Sequence, residues 1–268
     1  MDEILGYLLN DLGALEACSL TCKSLFGATR ALIHQRLVCV GSRKVHRKPK
    51  GSLLNRRKGD PGFFKRLIDA DRSGVLHHTR HLALRPDRIY SYPYFNPGDL
   101  KECLPHFRSI TELHSLTLDT FHVSSFIPVF SKLFGMFTST LRHLDIRYAY
   151  GTIWELSYII CQFPLLEDVT IVSPAGEDPE HPGHQVPTTT QPPPLRGKLA
   201  LVQVASRELF DGLAAFPGGL NFGSLELSWC EFLEPVLTAC GHTATSIWYL
   251  WGDIGGESNL SVRVHLAT

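Results

Sequence analysis

Residues 141–151, LRHLDIRYAYG, contain the pattern that decides the fold. Leu144 and Ile146 are separated by one polar residue, Asp145, and Leu141 precedes Leu144 by three positions. Side chains alternate between the two faces of a strand. This spacing therefore predicts a short strand with Leu144 and Ile146 on one face and Asp145 on the other.

The same L-x-x-L-x-L spacing recurs along the C-terminal two-thirds of the chain. Full copies lie at Leu113/Leu116/Leu118, Leu166/Val169/Ile171 and Phe222/Leu225/Leu227, and partial copies at Leu82/Leu84, Leu199/Leu201 and Ile247/Tyr249. Successive middle positions are 22 to 34 residues apart, close to the period of about 20–29 residues expected of leucine-rich repeats. The pattern therefore predicts stacked repeats rather than one closed domain.

Helical patterns separate the predicted strands. Thr152 and Glu155 have the spacing of a capping box, and Pro164 follows the expected helix end at about Phe163. Apolar residues also recur at helical spacing over 126–137 and 209–216. Strands that alternate with helices at a regular period form parallel sheets. We therefore predict an α/β fold in which residues 76–268 form an irregular leucine-rich-repeat solenoid with a curved parallel sheet.

The residue between the two inward leucines of each repeat is predicted to point outward. These outward positions are Ala83, Thr117, Asp145, Thr170, Ala200 and Glu226. Together they predict one continuous surface for binding a target, in which Thr117, Asp145, Thr170 and Glu226 are the candidate contacts. A regular repeat would also have Asn or Cys three residues after its last leucine. Only Cys230 conforms, so we expect a distorted arc.

The N-terminal part of the chain has a different pattern. Residues 1–40 are expected to form three short helices, the second capped by Asn10 and Asp11 and the third continuing to Leu37. Residues 41–75 are predicted to be a basic linker, since 43–58 hold eight Lys and Arg. A nuclear-import signal is the alternative interpretation of that stretch. The Pro-rich residues 173–194 are predicted to be a disordered loop.

Composition and motifs exclude several classes of function. Lys+Arg and Asp+Glu balance at 26 each, which argues against nucleic acid or a membrane as partner. The acidic N-terminus and seven scattered cysteines indicate an intracellular protein, cytoplasmic and/or nuclear. His77, His78 and His81 lack further ligands at zinc-like spacing, and His181 and His184 fall in the Pro-rich stretch. No nucleophile elbow or phosphate-binding loop is present. We therefore expect no enzyme, metal or cofactor.

Residues 2–37, DEILGYLLNDLGALEACSLTCKSLFGATRALIHQRL, resemble the F-box. The resemblance rests on Ile4-Leu5 with Tyr7-Leu8, on Asp11-Leu12 and on the segment CSLTCKS at 18–24. Because irregular leucine-rich repeats follow this segment, the whole chain is similar to the expanded F-box proteins of fungi. It implies a substrate adaptor of an SCF-type cullin–RING ubiquitin ligase, which docks on the Skp adaptor subunit and presents a target protein on its repeats. The implied docking contacts are Ile4, Leu5, Leu8, Leu20 and Leu25.

The segment departs from the family at two points. The family's Leu-Pro pair would lie before Glu3, and Leu25 stands where the family has Trp. Loss of a buried leucine together with its neighbour would cost about 2–4 kcal/mol, or roughly 30- to 700-fold in affinity. The alternative function is therefore a repeat-based protein-binding scaffold whose degenerate F-box does not dock. A hydrolase is the third and weakest class.

Overall fold

The computed structural model describes residues 11–21, 23–41, 65–86, 97–174, 195–216, 219–240, 242–252 and 259–265. The chain divides into two compact units, Met1–Thr111 and Glu112–Thr268. Each unit combines helices with parallel strands, so the predicted α/β class is confirmed. The Pro-rich loop lies outside the described residues from 175 to 194.

The described part of the first unit contains two helices followed by alternating strands and helices. Its described elements are α1 (Leu12–Thr21), α2 (Lys23–Ile33), β1 (Arg36–Gly41), α3 (Lys65–Arg72), a single 3-10 turn (Leu76–His78), β2 (His81–Pro86) and α4 (Pro97–Phe107). Strand β1 pairs in parallel with β2, from Arg36 opposite His81 to Gly41 opposite Pro86. The predicted partial repeat at Leu82/Leu84 is therefore a strand, and both leucines are buried.

The first unit differs from the sequence prediction in two places. Helix α2 ends at Ile33, so the helical pattern that we extended through Leu37 was wrong. Leu37 lies in β1, where the run RLVCV favours a strand because it contains two β-branched residues. Residues 65–72, inside the predicted linker, form α3, which buries Leu67 completely. The basic stretch 43–58 lies outside the described residues.

In the described part of the second unit, strands follow one another in sequence order with four helices between them. Its elements are β3 (Ser115–His122), α5 (Val123–Phe137), β4 (His143–Tyr150), α6 (Ile153–Cys161), β5 (Asp168–Val172), β6 (Lys198–Val202), α7 (Arg207–Ala214), β7 (Ser224–Ser228), α8 (Glu234–Cys240), β8 (Ser246–Gly252) and β9 (Asn259–His265). Each strand from β3 to β7 pairs in parallel with the next one, so that β3 to β8 form a parallel array. Strand β9, which the sequence pattern did not predict, pairs antiparallel with β8.

The template leucines of the second unit point into its core. The paired positions of β3 to β7 are at most 2% exposed: Leu116/Leu118, Leu144/Ile146, Val169/Ile171, Leu199/Leu201 and Leu225/Leu227. In β8 the corresponding Ile247 and Tyr249 are only partly buried. Helix side chains such as Phe137 and Phe210 are buried as well. Because burial of one such aliphatic side chain contributes about 1.5–3 kcal/mol, this double row is a major source of the stability of the unit.

A row of residues in the left-handed backbone region marks the same position of five successive strands. Thr120, Tyr148, Ser173, Gln203 and Trp229 have φ of 52°, 50°, 43°, 55° and 56°. Amides of this row donate to the neighbouring strand, from Ser173 to the Val202 carbonyl and from Gln203 to the Ser228 carbonyl, both at 2.7 Å. At four of these five residues the strand's alternation reverses, so that the following side chain returns inward.

The positions directly after the left-handed residues are those where a regular leucine-rich repeat would have Asn or Cys. Phe121, Ala149, Val204 and Cys230 occupy four of them, each at most 2% exposed. The Cys230 thiol donates to the Leu201 carbonyl at 3.2 Å, and burial raises the pKa of that thiol. The irregular repeats thus fill this position with apolar side chains, and Cys230 retains a polar contact across strands.

The capping box that was predicted for α6 is confirmed. The Glu155 amide donates to Thr152 Oγ1 at 3.2 Å, and the Thr152 amide donates to Glu155 Oε2 at 2.8 Å. Helix α6 ends at Cys161, two residues before the predicted end at Phe163.

Candidate functional site: the outward face of the sheet

One row of side chains crosses the second unit on the face opposite the core. Strand register places Thr117, Asp145, Thr170, Ala200, Glu226 and Trp248 side by side on consecutive strands. Four of these are the predicted contacts Thr117, Asp145, Thr170 and Glu226, and all four are partly exposed. Neighbouring parallel strands lie about 4.8 Å apart, so the row spans roughly 24 Å. We call this row and the positions two residues before and after it the outward face.

Ala200, which was also predicted to point outward, is only 3% exposed. Its methyl group is short, and larger side chains lie beside it in the row. In the first unit, Ala83 is likewise 5% exposed. The expectation that these two alanines contribute exposed surface was therefore wrong.

Asp168 connects three strands on this face. Its Oδ2 lies 2.6 Å from His143 Nδ1 on β4, and its Oδ1 accepts the Lys198 amide of β6 at 2.5 Å. Gly197 makes this possible, because a Cβ atom there would lie 1.8 Å from Asp168 Oδ1. The carboxylate thus fixes the spacing of β4, β5 and β6 at one end of the outward face.

Two ion pairs flank the middle of the row. Lys198 Nζ lies 2.9 Å from Glu226 Oε2, joining β6 to β7. On β4, the Arg147 guanidinium donates to both oxygens of Asp145, with distances of 2.6 to 3.0 Å. These hydrogen bonds raise the pKa of Arg147. Charged side chains on the outward face therefore neutralise one another, and they hold fixed donors and acceptors around the small residues Thr170 and Ala200.

An exposed indole lies at one end of the row. Trp248 is 43% exposed and lies opposite Glu226 on one side and Arg263 on the other. Sequence reasoning missed this residue because its repeat, Ile247/Tyr249, is only a partial copy of the template. Trp248 nevertheless lies between Ile247 and Tyr249, at the middle position that the template predicts to point outward. An exposed aromatic beside oriented polar groups is typical of surfaces that bind polypeptides.

The predicted adaptor-docking residues lie in the first unit. Leu20, in the last turn of α1, is 85% exposed, and Leu25 of α2 is partly buried. By contrast, Leu15 of the same α1 is completely buried. Ile4, Leu5 and Leu8 lie outside the described residues. Phe26 of α2 is 45% exposed, and the Arg30 guanidinium lies 5.1 Å from the centre of its ring.

The histidines that were considered as metal ligands are only partly brought together. His77 and His78 have ring centres 3.8 Å apart, whereas His81 begins β2. Among the described residues, no three His, Cys, Asp or Glu side chains converge in a way that could hold a metal ion. His181 and His184 lie outside that part of the chain.

The described helices do not include one that is both long and apolar enough to cross a bilayer. A scan against protein-family models finds no matching family. Searches of curated proteins and of solved structures find no similar protein.

Proposed function

We propose that this chain is a substrate-recognition adaptor of an SCF-type cullin–RING ubiquitin ligase. In this proposal the N-terminal helices dock on the Skp adaptor subunit, and the outward face of the second unit binds a target protein. The chain itself performs no chemistry.

The observation that carries the proposal is the exposure of Leu20. A leucine that is 85% exposed at the end of a helix contributes nothing to the folding of its own unit. Its burial against a partner would contribute about 1.5–3 kcal/mol, roughly 10- to 150-fold in affinity. Leu20 lies in the segment that resembles the F-box and is one of the docking contacts that this resemblance implies.

The second unit supports the target-binding half of the proposal. Its strands follow one another in sequence order, with the template leucines inward and a row of left-handed residues at one register. This is the pattern we expect of irregular leucine-rich repeats, which use their strand faces as extended binding surfaces. Paired charges and exposed Trp248 suit a protein target better than a small molecule.

Replacement of Leu20 by Asp tests the docking step. We expect the variant to lose at least about 100-fold in affinity for the Skp subunit, because a charge replaces an apolar contact. Thr21→Asp is the matched control, since it places the same charge on the adjacent exposed position of α1. Isothermal titration of the full chain with the purified Skp subunit measures both variants.

Both substitutions should leave the thermal midpoint of the chain nearly unchanged, because both side chains are exposed. A wild-type chain that does not bind the Skp subunit would remove the proposal and leave the alternative, a free protein-binding scaffold. Equal affinity of the Leu20→Asp and wild-type chains would contradict the assigned docking contact.

A further inference from the structure

Two stretches of the first unit contain no acidic residue. There is no Asp or Glu over residues 17–59, nor over residues 72–86. The first stretch includes α2 and its C-terminal end, and the second includes the 3-10 turn and β2. Both stretches carry several arginines and histidines.

Backbone and side-chain hydrogen bonds bring the two stretches together at the end of α2. Thr79 Oγ1 donates to the His34 carbonyl at 3.2 Å, and the amides of Arg80 and His81 donate to the Gln35 carbonyl at 2.8 and 2.9 Å. These bonds occupy carbonyl groups that would otherwise present negative charge at the helix end. The end of α2 is therefore less repulsive to an anion than an uncapped helix terminus.

Four basic residues lie on the segments that these hydrogen bonds join. Arg30 and His34 are four residues apart and so lie on the same side of α2 and its final turn. His77 and His78 have ring centres 3.8 Å apart, and Arg80 Nη1 donates to the His77 carbonyl at 2.9 Å. His77 is exposed, whereas Arg30, His34 and His78 are partly exposed. We call Arg30, His34, His77 and His78 the basic cluster.

Burial and neighbouring positive charge lower the pKa of two histidines of the basic cluster. Burial, followed by the charge of Arg30, lowers the pKa of His34. Burial first, and then His77, His34, Arg80 and Arg30, lower the pKa of His78. Every charged group that acts on these two rings is a cation or becomes one on protonation. Such an arrangement is stabilised by an anion placed between the side chains.

We propose that the basic cluster is a binding site for a doubly charged tetrahedral oxyanion, the chemical class of a phosphate monoester. Arg30 supplies a permanent charge with several donors, and each protonated imidazole supplies a charged N–H donor. The site lies outside the outward face, and the proposal does not depend on docking to the Skp subunit. Affinity rises as the pH falls, because protonation of His34 and His78 adds positive charge to the site.

The sign of this pH effect follows from linkage. Because the folded-state pKa of His34 and of His78 lies below the ordinary value of about 6.5, the unfolded chain takes up protons first on acidification. The stability contributed by these groups is therefore present above about pH 6.5 and is lost as the pH falls below it. A bound dianion favours the protonated rings and should restore part of that stability.

Sulfate is the probe of choice because it keeps its double charge over the whole range from pH 5.5 to 7.5. In the full chain, histidine ring resonances are followed by NMR during titration with sodium sulfate, at constant ionic strength set by sodium chloride. We expect saturable shifts at His34, His77 and His78, and binding about tenfold tighter at pH 5.5 than at pH 7.5. The exposed His242 of the second unit is the internal control.

The His77→Gln/His78→Gln double variant should lose most of the sulfate affinity and its pH dependence, while His242→Gln should keep both. Arms with inorganic phosphate and with a phosphoserine peptide distinguish a free anion from one borne on a protein. If inorganic phosphate or the phosphoserine peptide binds more tightly than sulfate, the result supports the site and identifies whether the anion is free or borne on a protein. Sulfate shifts no larger at His78 than at His242, or reproduced by chloride alone, would overturn the proposal even if the double variant failed to fold.

Discussion

Ile171→Asn is expected to unfold the Glu112–Thr268 unit or bring it to the edge of unfolding. Ile171 is the inward residue of β5 and is completely buried. Its loss removes an aliphatic side chain from a packed core, at about 2–5 kcal/mol, and leaves a buried amide without partners, at about 1–3 kcal/mol. The sum approaches the whole stability of a typical domain, about 5–15 kcal/mol.

Thr170→Asn is the matched control, because it introduces the same side chain one position earlier, on the outward face. We expect it to change the free energy of unfolding by less than about 1 kcal/mol. Urea denaturation followed by tryptophan fluorescence measures both variants. All four tryptophans lie in this unit, at 154, 229, 248 and 251, so the signal reports on it selectively. Equal destabilisation by the two substitutions would show that β5 does not have one buried and one outward side.

The row of left-handed residues predicts opposite effects of two substitutions at one position. Gln203 has φ 55°, its side chain is exposed, and its amide donates to the Ser228 carbonyl at 2.7 Å. Proline there would impose φ near −65° and remove the donor, which costs about 3 kcal/mol or more. Glycine adopts positive φ without strain, so Gln203→Gly should stabilise the unit by up to about 1 kcal/mol.

The same urea titrations measure this pair, and Glu208→Gly provides a comparison at an exposed helical position where glycine should destabilise by about 1 kcal/mol. If Gln203→Gly were as destabilising as Glu208→Gly, the left-handed conformation at Gln203 would be wrong. The register that Gln203 shares with Thr120, Tyr148, Ser173 and Trp229 would then be wrong as well.

The strands and helices of the second unit could be predicted from sequence because each is encoded locally. Two inward leucines around one outward residue define a strand, and Thr152 with Glu155 defines the start of a helix. Strand β1 was missed because Leu37 also continues the helical spacing of Leu32 and Ile33. Only pairing with β2, more than forty residues away, decides between helix and strand there. Such competition between local pattern and distant pairing cannot be read from a short window.

The left-handed row could not be predicted, because none of its five residues is the glycine or asparagine that usually signals positive φ. The conformation is imposed by the repeat, which must return the next side chain to the core. Strand register places Thr117, Asp145, Thr170 and Glu226 in one row, as their sequence spacing indicated, and their role as target contacts stays a prediction. The ion pair between Lys198 and Glu226 was not predicted, because these two residues are 28 positions apart in sequence and meet only through the strand register.

Hydrogen–deuterium exchange of the full chain, with and without the purified Skp adaptor subunit, tests the central claim most directly. The account predicts slower exchange over α1 and α2, residues 12–33, centred on Leu20, with strands β3 to β8 unchanged. Protection confined to the strands of the second unit, or no protection anywhere at saturating Skp subunit, would contradict it.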